Sequence, residues 1–315
     1  MAQPQGSINK KHSHVNSIFN TGRRRLLSSA ASGSAALAAL SSALHPVLAA
    51  QATQTTRMPV IFVGHGSPMN AISDNAFTRR LGAWGAELPR PAAILSISAH
   101  WMTPGSTLVG IQPKPRTIHD FGGFPRQLHE MQYPAPGAPG IAAATAGLMA
   151  PLQVRGSEEW GLDHGTWTVL HHMFPKADVP VFQLSIDYDK PGSFHYGLGR
   201  RLSALRNRGV LVMGSGNIVH NLRATFRGAP EASTAMTAWA GGFDDAVRVA
   251  LEGRDDRRLL EYERLHAEAR MAVPTPDHYW PFLYALGAAD PGEIPKTTYA
   301  SFHSGTLSMR CLQFG

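Results

Sequence analysis

The stretch PVIFVGHGSPMN, residues 59–70, indicates how the chain folds. Its apolar run, residues 60–63, has the length of a buried strand, and this strand ends at His65, which stands between two glycines. Two later apolar runs end in a similar way, in SAHW at His100 and in GSGNIVHN at His220. Because predicted helices alternate with these runs, the sequence predicts an α/β layered sandwich in which helices flank a central, mostly parallel sheet.

The chain from residue 58 onward fits this pattern throughout. Helices are predicted at residues 75–85, 141–149, 166–174, 193–208, 234–252 and 257–269, and strands also at 92–99, 153–154, 179–186, 209–214, 298–302 and 308–313. Residues 103–139 are rich in proline and glycine, which predicts a long functional loop. With no internal repeat and no linker in this region, a single catalytic domain over residues 53–315 is the simplest interpretation.

The N-terminus differs in composition from the rest of the 315-residue chain. The chain carries a net charge of +7, and residues 1–50 contain five basic residues but no acidic one. Residues 21–27, TGRRRLL, place adjacent arginines before a mildly apolar stretch that ends in small residues. Residues 1–52 therefore resemble a twin-arginine export signal, which predicts a periplasmic protein. The alternatives are a disordered tail or a membrane anchor, and a signal that does not function would leave the protein in the cytoplasm.

The composition also argues against several kinds of partner. Outside the leader the net charge is small and the basic residues are scattered, so nothing supports nucleic-acid binding. An uninterrupted span of about 20 apolar residues is missing, so we expect no membrane insertion of the mature chain. Cys311 is the single cysteine, which excludes an intrachain disulfide, and its apolar surroundings predict a buried side chain.

Histidines at strand ends and in tight loops are the strongest chemical signal. Ligands of open α/β sheets bind beyond the carboxyl ends of the strands, so His65, His100 and His220 can converge there. Two more histidines lie in tight loops, His164 in GLDHG and His278 in PTPDHY. A single histidine of this kind is more often an ordinary core or surface residue, but five together indicate a metal site. Imidazole ligands without a cysteine pair suit Zn or Fe(II) rather than Mg or Ca.

Eight motifs occur in order between residue 58 and the end of the chain. They are GHGSPMN, SAHW, TIHDFGGFP, YPAPG, WGLDHGTW, VFQLSID, GSGNIVHNL and PTPDHYWPFLYALGA. Together they resemble the class III extradiol ring-cleavage dioxygenases, in particular the DOPA 4,5-dioxygenase type. The resemblance covers essentially the whole chain after the leader, and the leader is a departure from the cytoplasmic members of that family.

The resemblance implies a mononuclear metal site at the strand ends, with His65, His100 and His278 as ligands. It makes His220 either a fourth ligand or an acid–base residue, and it makes His164 a residue that faces the substrate and shares the acid–base role. Non-haem Fe(II) is the cofactor expected for activity. Because the three ligands are all histidines, Zn(II) is the expected occupant of the isolated protein.

The implied reaction is the insertion of O2 into a catechol such as DOPA, which gives a muconic semialdehyde. Residues 117–124, TIHDFGGF, would form a lid with glycine hinges and aromatic walls, and an ordinary surface loop is the alternative. Four residues are expected to contact the substrate: His119, Phe121, Ser67 and Tyr279. For the aromatic side chains among them, packing in the core is an equally good interpretation.

The side chains next to these motifs carry weaker signals. Asp277 precedes His278 and is expected to point away from the metal. His195 lies in a polar helical stretch and is expected to be solvated, and His303 has no evident partner in the sequence.

Two other functions use the same residues. A zinc-dependent hydrolase or amidase would combine the histidines with an activated water. A non-enzymatic periplasmic metal-binding protein would need no substrate pocket. The identity of the metal and a requirement for O2 separate these functions from ring cleavage, whereas the natural catechol, the cleavage position and the oligomeric state are not encoded in any motif.

Overall fold

The computed structural model describes residues 57–225 and 236–315, and the predicted leader, residues 1–52, lies outside these ranges. The strands within them are β1 (Val60–Gly64), β2 (Ala93–Ser98), β3 (Met102–Thr103), β4 (Leu108–Gly110), β5 (Arg155–Ser157), β6 (Val181–Gln183), β7 (Ile186–Asp187), β8 (Val210–Gly216), β9 (Lys296–Tyr299), β10 (Phe302–His303), β11 (Leu307–Ser308) and β12 (Cys311–Phe314). The α-helices are α1 (Ala76–Glu87), α2 (Arg126–Glu130), α3 (Pro139–Leu148), α4 (His164–Met173), α5 (Gly192–Arg206), α6 (Leu222–Thr225), α7 (Ala238–Glu252), α8 (Asp256–Leu260), α9 (Ala269–Ala272) and α10 (Trp280–Ala288). Short 3₁₀ helices lie at Pro68–Ile72, Tyr262–Arg264 and Pro276–His278.

A six-stranded sheet in the order β6-β2-β8-β1-β12-β9 forms the centre of the molecule. The first four strands of this order run parallel to their neighbours, and β12 and β9 add two antiparallel pairings at one side. The register aligns the ends of β1 and β8, because Gly64 is paired with Gly216. The predicted α/β sandwich with a mostly parallel central sheet is therefore confirmed.

Strand β1 shows why an unbroken apolar run forms the middle of this sheet. Successive side chains of a strand point to opposite faces, so Val60 and Phe62 join one hydrophobic cluster while Ile61 and Val63 join the other. All four are fully buried. Helices on both faces thus require apolar residues at every position, as is usual for parallel sheets.

The helices form the two outer layers. Helices α5 and α10 pack together on the side of the Phe62 cluster, and α1 and α4 pack together on the opposite side. Two glycines permit the close approach of α5 and α10. A Cβ atom at Gly199 would lie 2.4 Å from the carbonyl oxygen of Tyr284, and one at Gly287 would lie 2.2 Å from that of Tyr196. Any larger residue at either position would force the helices apart.

The structure corrects three element predictions. Residues 257–269 are not one helix but α8, the 3₁₀ helix Tyr262–Arg264 and the start of α9. This segment has four buried residues, Leu259, Tyr262, Leu265 and Ala269. The first three are three residues apart, a spacing that suits 3₁₀ turns better than a continuous α-helix. The long loop predicted for residues 103–139 contains β4 and α2, and the strand predicted at 153–154 begins at Arg155.

Two side chains next to the sheet test the burial predictions. Cys311 is fully buried, as predicted, and burial raises the pKa of its thiol to about 12. The prediction of a solvated His195 is wrong, because its ring is fully buried between Trp280 and Tyr284. Its ring nitrogens lie 3.2 Å from the hydroxyl of Tyr284 and 3.2 Å from the carbonyl oxygen of Lys190, and burial lowers its pKa to about 4.

The described residues contain no helix that combines the length and the apolar character needed to cross a membrane.

Candidate metal centre

Five histidines meet at the carboxyl edge of the central sheet. His65 follows β1 and His100 follows β2, whereas His220 lies four residues beyond the end of β8. His164 is the first residue of α4, and His278 ends the 3₁₀ helix that precedes α10. Ring centroids within 3.9 to 5.6 Å connect His65, His100, His164 and His278, and His220 is stacked on His278. The topology thus brings histidines that are far apart in the sequence together in one cluster.

Three of these histidines have the geometry of a metal site. One ring nitrogen each from His65, His100 and His278 lies within 4.8 Å of the other two. The Nε2 atoms of His65 and His100 are 3.2 Å apart. Two nitrogens bound to one tetrahedral metal at about 2.1 Å are separated by about 3.4 Å, so the distance between these two nitrogens suits Zn(II) or Fe(II).

The protonation of the same histidines suits metal binding. Burial, followed by repulsion from neighbouring histidines, holds the pKa of both His65 and His100 well below the usual value for imidazole. Both rings are therefore neutral at physiological pH. Neutral imidazole is the form that binds a metal ion, because it retains a lone pair on one nitrogen.

A serine fixes the tautomer of His65. The hydroxyl of Ser215 donates a hydrogen bond to the carbonyl oxygen of Gly165 at 2.5 Å, and its oxygen lies 3.0 Å from Nδ1 of His65. A hydroxyl has a single proton, so Ser215 must accept the hydrogen bond from Nδ1–H. The lone pair of His65 is consequently on Nε2, the nitrogen that faces His100. Such a partner on the second nitrogen is a general feature of metal-binding histidines.

Asp277 performs the same task for His278. Its carboxylate accepts a hydrogen bond from Nδ1 of His278, which leaves Nε2 of that ring for a metal ion. The two residues are adjacent in the 3₁₀ helix Pro276–His278, and the side chain of Asp277 contacts the ring of the residue that follows it. Burial opposes ionisation here, but the bond to His278 outweighs it and lowers the pKa of Asp277 to about 2.

Asp120 is a site residue that the sequence did not single out. One of its oxygens accepts the backbone N–H of His164 at 2.9 Å, and the other lies 2.9 Å from Nδ1 of His164 and 3.4 Å from Nδ1 of His100. The signal that could have identified it is its position in TIHDFGGFP, where a carboxylate stands among glycine and aromatic residues. No spacing relates it to the histidines, because only tertiary structure brings residues 120 and 164 together.

His220 occupies a position compatible with either of its two expected roles. Its ring stacks on that of His278, with centroids 3.5 Å apart and planes 5° from parallel. A ring nitrogen of His220 lies within 4.8 Å of a carboxylate oxygen of Asp277 and of a ring nitrogen of His278. Burial, followed by repulsion from His278, lowers the pKa of His220 to about 2, so the ring is neutral and retains a lone pair on one nitrogen.

A cavity of about 930 Å³ opens above the histidines. Its wall includes all five of them, together with Ser67 and Phe121, which were expected to contact the substrate. The ring of Phe121 stands edge-on to His164 at 5.6 Å and to Phe124 at 5.4 Å. These aromatic rings form one side of the cavity, next to Gly122 and Gly123, which have no neighbouring atoms where a Cβ would lie. A planar aromatic molecule fits such a wall.

Two of the four expected substrate contacts do not line this cavity. His119 lies behind Phe121, and its Nε2 is 2.9 Å from the carbonyl oxygen of Met131. Tyr279 is fully buried in the core, where its hydroxyl donates a hydrogen bond to the carbonyl oxygen of Leu259 at 3.1 Å. Both residues are sequence neighbours of site residues but project in other directions.

The cavity also contains residues for which the sequence offered no signal. His303 and Ser304 line it through the hairpin formed by β10 and β11. This hairpin reaches the site because Leu307 of β11 is paired with His220. The link between residues 220 and 307 is a tertiary contact that no local pattern predicts.

Comparison with known proteins agrees with this geometry. A family model described as the catalytic LigB subunit of aromatic ring-opening dioxygenase matches residues 52–311. The chain is 44% identical over 264 residues to the 4,5-DOPA dioxygenase extradiol of Escherichia coli (strain K12), covering 83% of this chain and 96% of that protein. It is 36% identical over 261 residues to the 4,5-DOPA dioxygenase extradiol of Beta vulgaris, covering 80% of this chain and 95% of that protein. The crystal structure of an uncharacterized Escherichia coli K12 protein is similar with a TM-score of 0.71 at 40% identity, covering 82% of this chain and all of that one. The chain therefore belongs to the LigB family of aromatic ring-opening extradiol dioxygenases and is an enzyme that acts on an aromatic substrate and O2.

Proposed function

We propose that the enzyme inserts O2 into a DOPA-like catechol and releases a muconic semialdehyde. The name of its relatives from Escherichia coli and Beta vulgaris, 4,5-DOPA dioxygenase extradiol, supports this choice of substrate. The observation that carries the proposal is the set of three ring nitrogens of His65, His100 and His278 at the base of an aromatic-walled cavity.

The proposed cofactor is a mononuclear Fe(II) ion held by His65, His100 and His278. When bound, Fe(II) would supply Lewis acidity toward the catechol oxygens and a path for electron density from the catechol, which is oxidised, to O2, which is reduced. Zn(II) suits the same nitrogen ligands and is the proposed occupant of the protein as isolated. Ser215 and Asp277 hold the rings of His65 and His278 with one nitrogen directed toward the metal.

His164 and His220 are the proposed acid–base residues. Both line the cavity, on different sides of the three ligand histidines. A neutral imidazole can accept the proton of a catechol hydroxyl and later return it to an oxygen of the opened ring. Proton transfer of this kind contributes about 10²–10⁴-fold to the rate. The His220→Ala variant distinguishes the two roles of His220. If His220 is a base, the variant should keep its metal and lose turnover. If His220 is a ligand, the variant should lose its metal.

The cavity walls supply the remaining specificity. Phe121 and Phe124 provide an apolar surface for the catechol ring, and Ser67 provides a hydroxyl in the cavity wall.

Oxygen consumption tests the proposed function. The full-length chain, loaded anaerobically with Fe(II) or with Zn(II), is mixed with DOPA and exposed to air while O2 uptake and the visible spectrum are recorded. We expect one O2 consumed per catechol and a yellow semialdehyde, with Fe(II) only. Tight Zn(II) binding without O2 uptake on any simple catechol would instead favour a zinc hydrolase, which three histidine ligands also suit.

We also propose that residues 1–52 direct export to the periplasm. The adjacent arginines of TGRRRLL followed by an alanine-, leucine- and serine-rich stretch support this location. Replacement of Arg23 and Arg24 by lysine should retain the protein in the cytoplasm, and cell fractionation would detect the change. An unchanged periplasmic fraction would refute the proposed route.

A further inference from the structure

We propose that Asp120 is a positioning residue that fixes the tautomer of His164, so that Nε2 of His164 faces the substrate as a proton acceptor. This inference rests on the proposed function, because it assigns a direction to the proton transfer at His164. It extends that function by naming a residue outside the set of histidines.

The contacts of Asp120 determine where the ring proton lies. One carboxylate oxygen accepts the backbone N–H of His164 at 2.9 Å, and the other lies 2.9 Å from Nδ1 of the same residue. An ionised carboxylate can only accept hydrogen bonds, so Nδ1 of His164 must carry the proton. In the neutral form of the ring this is the single N–H, and the lone pair is on Nε2. Because His164 lines the cavity and its Nδ1 is engaged, Nε2 is the nitrogen available to a substrate.

Both partners of this pair are anchored independently. The backbone of His164 follows Asp163, a buried residue that accepts hydrogen bonds from Ser98 at 2.6 Å and Gln183 at 2.7 Å and so ties the start of α4 to the sheet. The segment that carries Asp120 is held through Ile118, whose N–H donates to the carbonyl oxygen of Leu162 at 2.8 Å. The carboxylate therefore approaches His164 from a fixed direction: one oxygen is held by the backbone N–H, and the other restricts rotation of the ring through Nδ1.

The proton step is balanced without any change of oxidation state. The O–H bond of a catechol hydroxyl breaks as an N–H bond forms at Nε2 of His164. The resulting imidazolium is stabilised by the carboxylate of Asp120 on its other nitrogen. The same proton then returns to an oxygen of the product, which restores the neutral ring.

The substitution Asp120→Asn tests this arrangement. The amide oxygen can still accept the backbone N–H of His164, but the amide NH₂ group then faces Nδ1 and donates to it. The ring proton moves to Nε2, and the nitrogen that faces the cavity can no longer accept a proton. We expect kcat to fall by about 10²–10⁴-fold, with little change of KM and with the metal affinity retained.

Asp277→Asn is the matched control. It makes the same change of atoms beside Nδ1 of a different histidine, the metal ligand His278. We expect it to weaken metal binding by about 10–100-fold, an effect that excess metal should largely reverse. A carboxylate oxygen of Asp120 also lies 3.4 Å from Nδ1 of His100. The alternative is therefore that Asp120 supports the proposed metal ligand His100 and has no effect on the proton of His164. If Asp120→Asn lost activity and metal affinity in parallel, and excess metal restored both, the proposal would be overturned.

A spectroscopic readout keeps this inference separate from the catalytic proposal. In the Zn(II)-loaded full-length chain, ¹⁵N NMR distinguishes a protonated Nδ1 from a protonated Nε2, and a His164→Gln variant assigns the signal. We expect Nδ1–H in the wild type and Nε2–H in Asp120→Asn. An Nε2–H signal in the wild type would refute the role of Asp120 even in an active dioxygenase. The expected tautomers in a protein without O2 uptake would support the pairing while refuting the proposed reaction.

Discussion

Removal of the Ser215 hydroxyl should weaken metal binding although Ser215 is not a ligand. Ser215 is fully buried, and its hydroxyl is the only described link between Nδ1 of His65 and the carbonyl oxygen of Gly165. In Ser215→Ala both groups lose their partner, and each buried orphan costs about 1–3 kcal/mol. The ring of His65 also loses the contact that keeps its lone pair on Nε2. Loss of such a partner typically lowers metal affinity about 10–100-fold, which corresponds to about 1.4–2.7 kcal/mol.

Ser96→Ala provides a matched control for this experiment. Ser96 is equally buried, lies in the adjacent strand β2, and its hydroxyl is 2.7 Å from that of Thr166 in the same helix α4. Competition with a chromophoric chelator measures the Zn(II) affinity of both variants, and urea unfolding of the metal-free proteins measures their stability. We expect a loss of stability in both variants but a loss of affinity in Ser215→Ala alone. Equal affinities for the two variants would refute the reasoning that Ser215 orients His65.

Three further predictions concern residues away from the ligands. Tyr279→Phe should lower the unfolding free energy by about 0.5–1.5 kcal/mol, because the hydrogen bond to Leu259 is lost. We expect kcat and KM to stay unchanged because the hydroxyl lies outside the cavity, and an increase of KM in steady-state assays would contradict this. Arg310→Met should cost about 3–5 kcal/mol in urea unfolding, because it leaves the buried carboxylate of Asp244 without its cation; a loss below about 1 kcal/mol would contradict the importance of the pair. Burial lowers the pKa of His195 from 6.5 to about 4, so the unfolded chain binds a proton that the folded protein excludes, and stability falls as the pH decreases between these two values. The contribution is about 3 kcal/mol, and His195→Phe should flatten the pH dependence of unfolding by that amount; parallel pH profiles for the two proteins would contradict it.

The sequence predicts the layered fold and the strand-end histidines because both depend on local patterns. A short apolar run followed by glycine and histidine is visible without any tertiary information, and the parallel sheet then places the ends of β1, β2 and β8 along one edge. His164 and His278 follow no apolar run, and only the family motifs assign them a role at the site. The structure adds the physical reason, because both residues stand at helix ends that face the same edge.

The contacts around the histidines could not be predicted in the same way. Asp120 reaches His164, and Leu307 reaches His220, through loops and a hairpin whose course is set by packing far along the chain. Tyr279 follows His278, a proposed metal ligand, yet it belongs to the core, because consecutive residues at the start of α10 project in different directions. His195 was interpreted as solvated from its polar neighbours, whereas the aromatic rings of α10 cover it in the folded protein.

The measurement that tests the central claim most directly is the fate of the oxygen atoms. The full-length chain loaded with Fe(II) is supplied with DOPA and ¹⁸O-labelled O2. The ring-opened product is trapped chemically, and its mass is measured by mass spectrometry. A dioxygenase at the three-histidine centre predicts that both labelled atoms enter each molecule of ring-opened product, and that a His65→Ala variant forms none of it. An opened ring without labelled oxygen, or undiminished product formation by His65→Ala, would contradict the account.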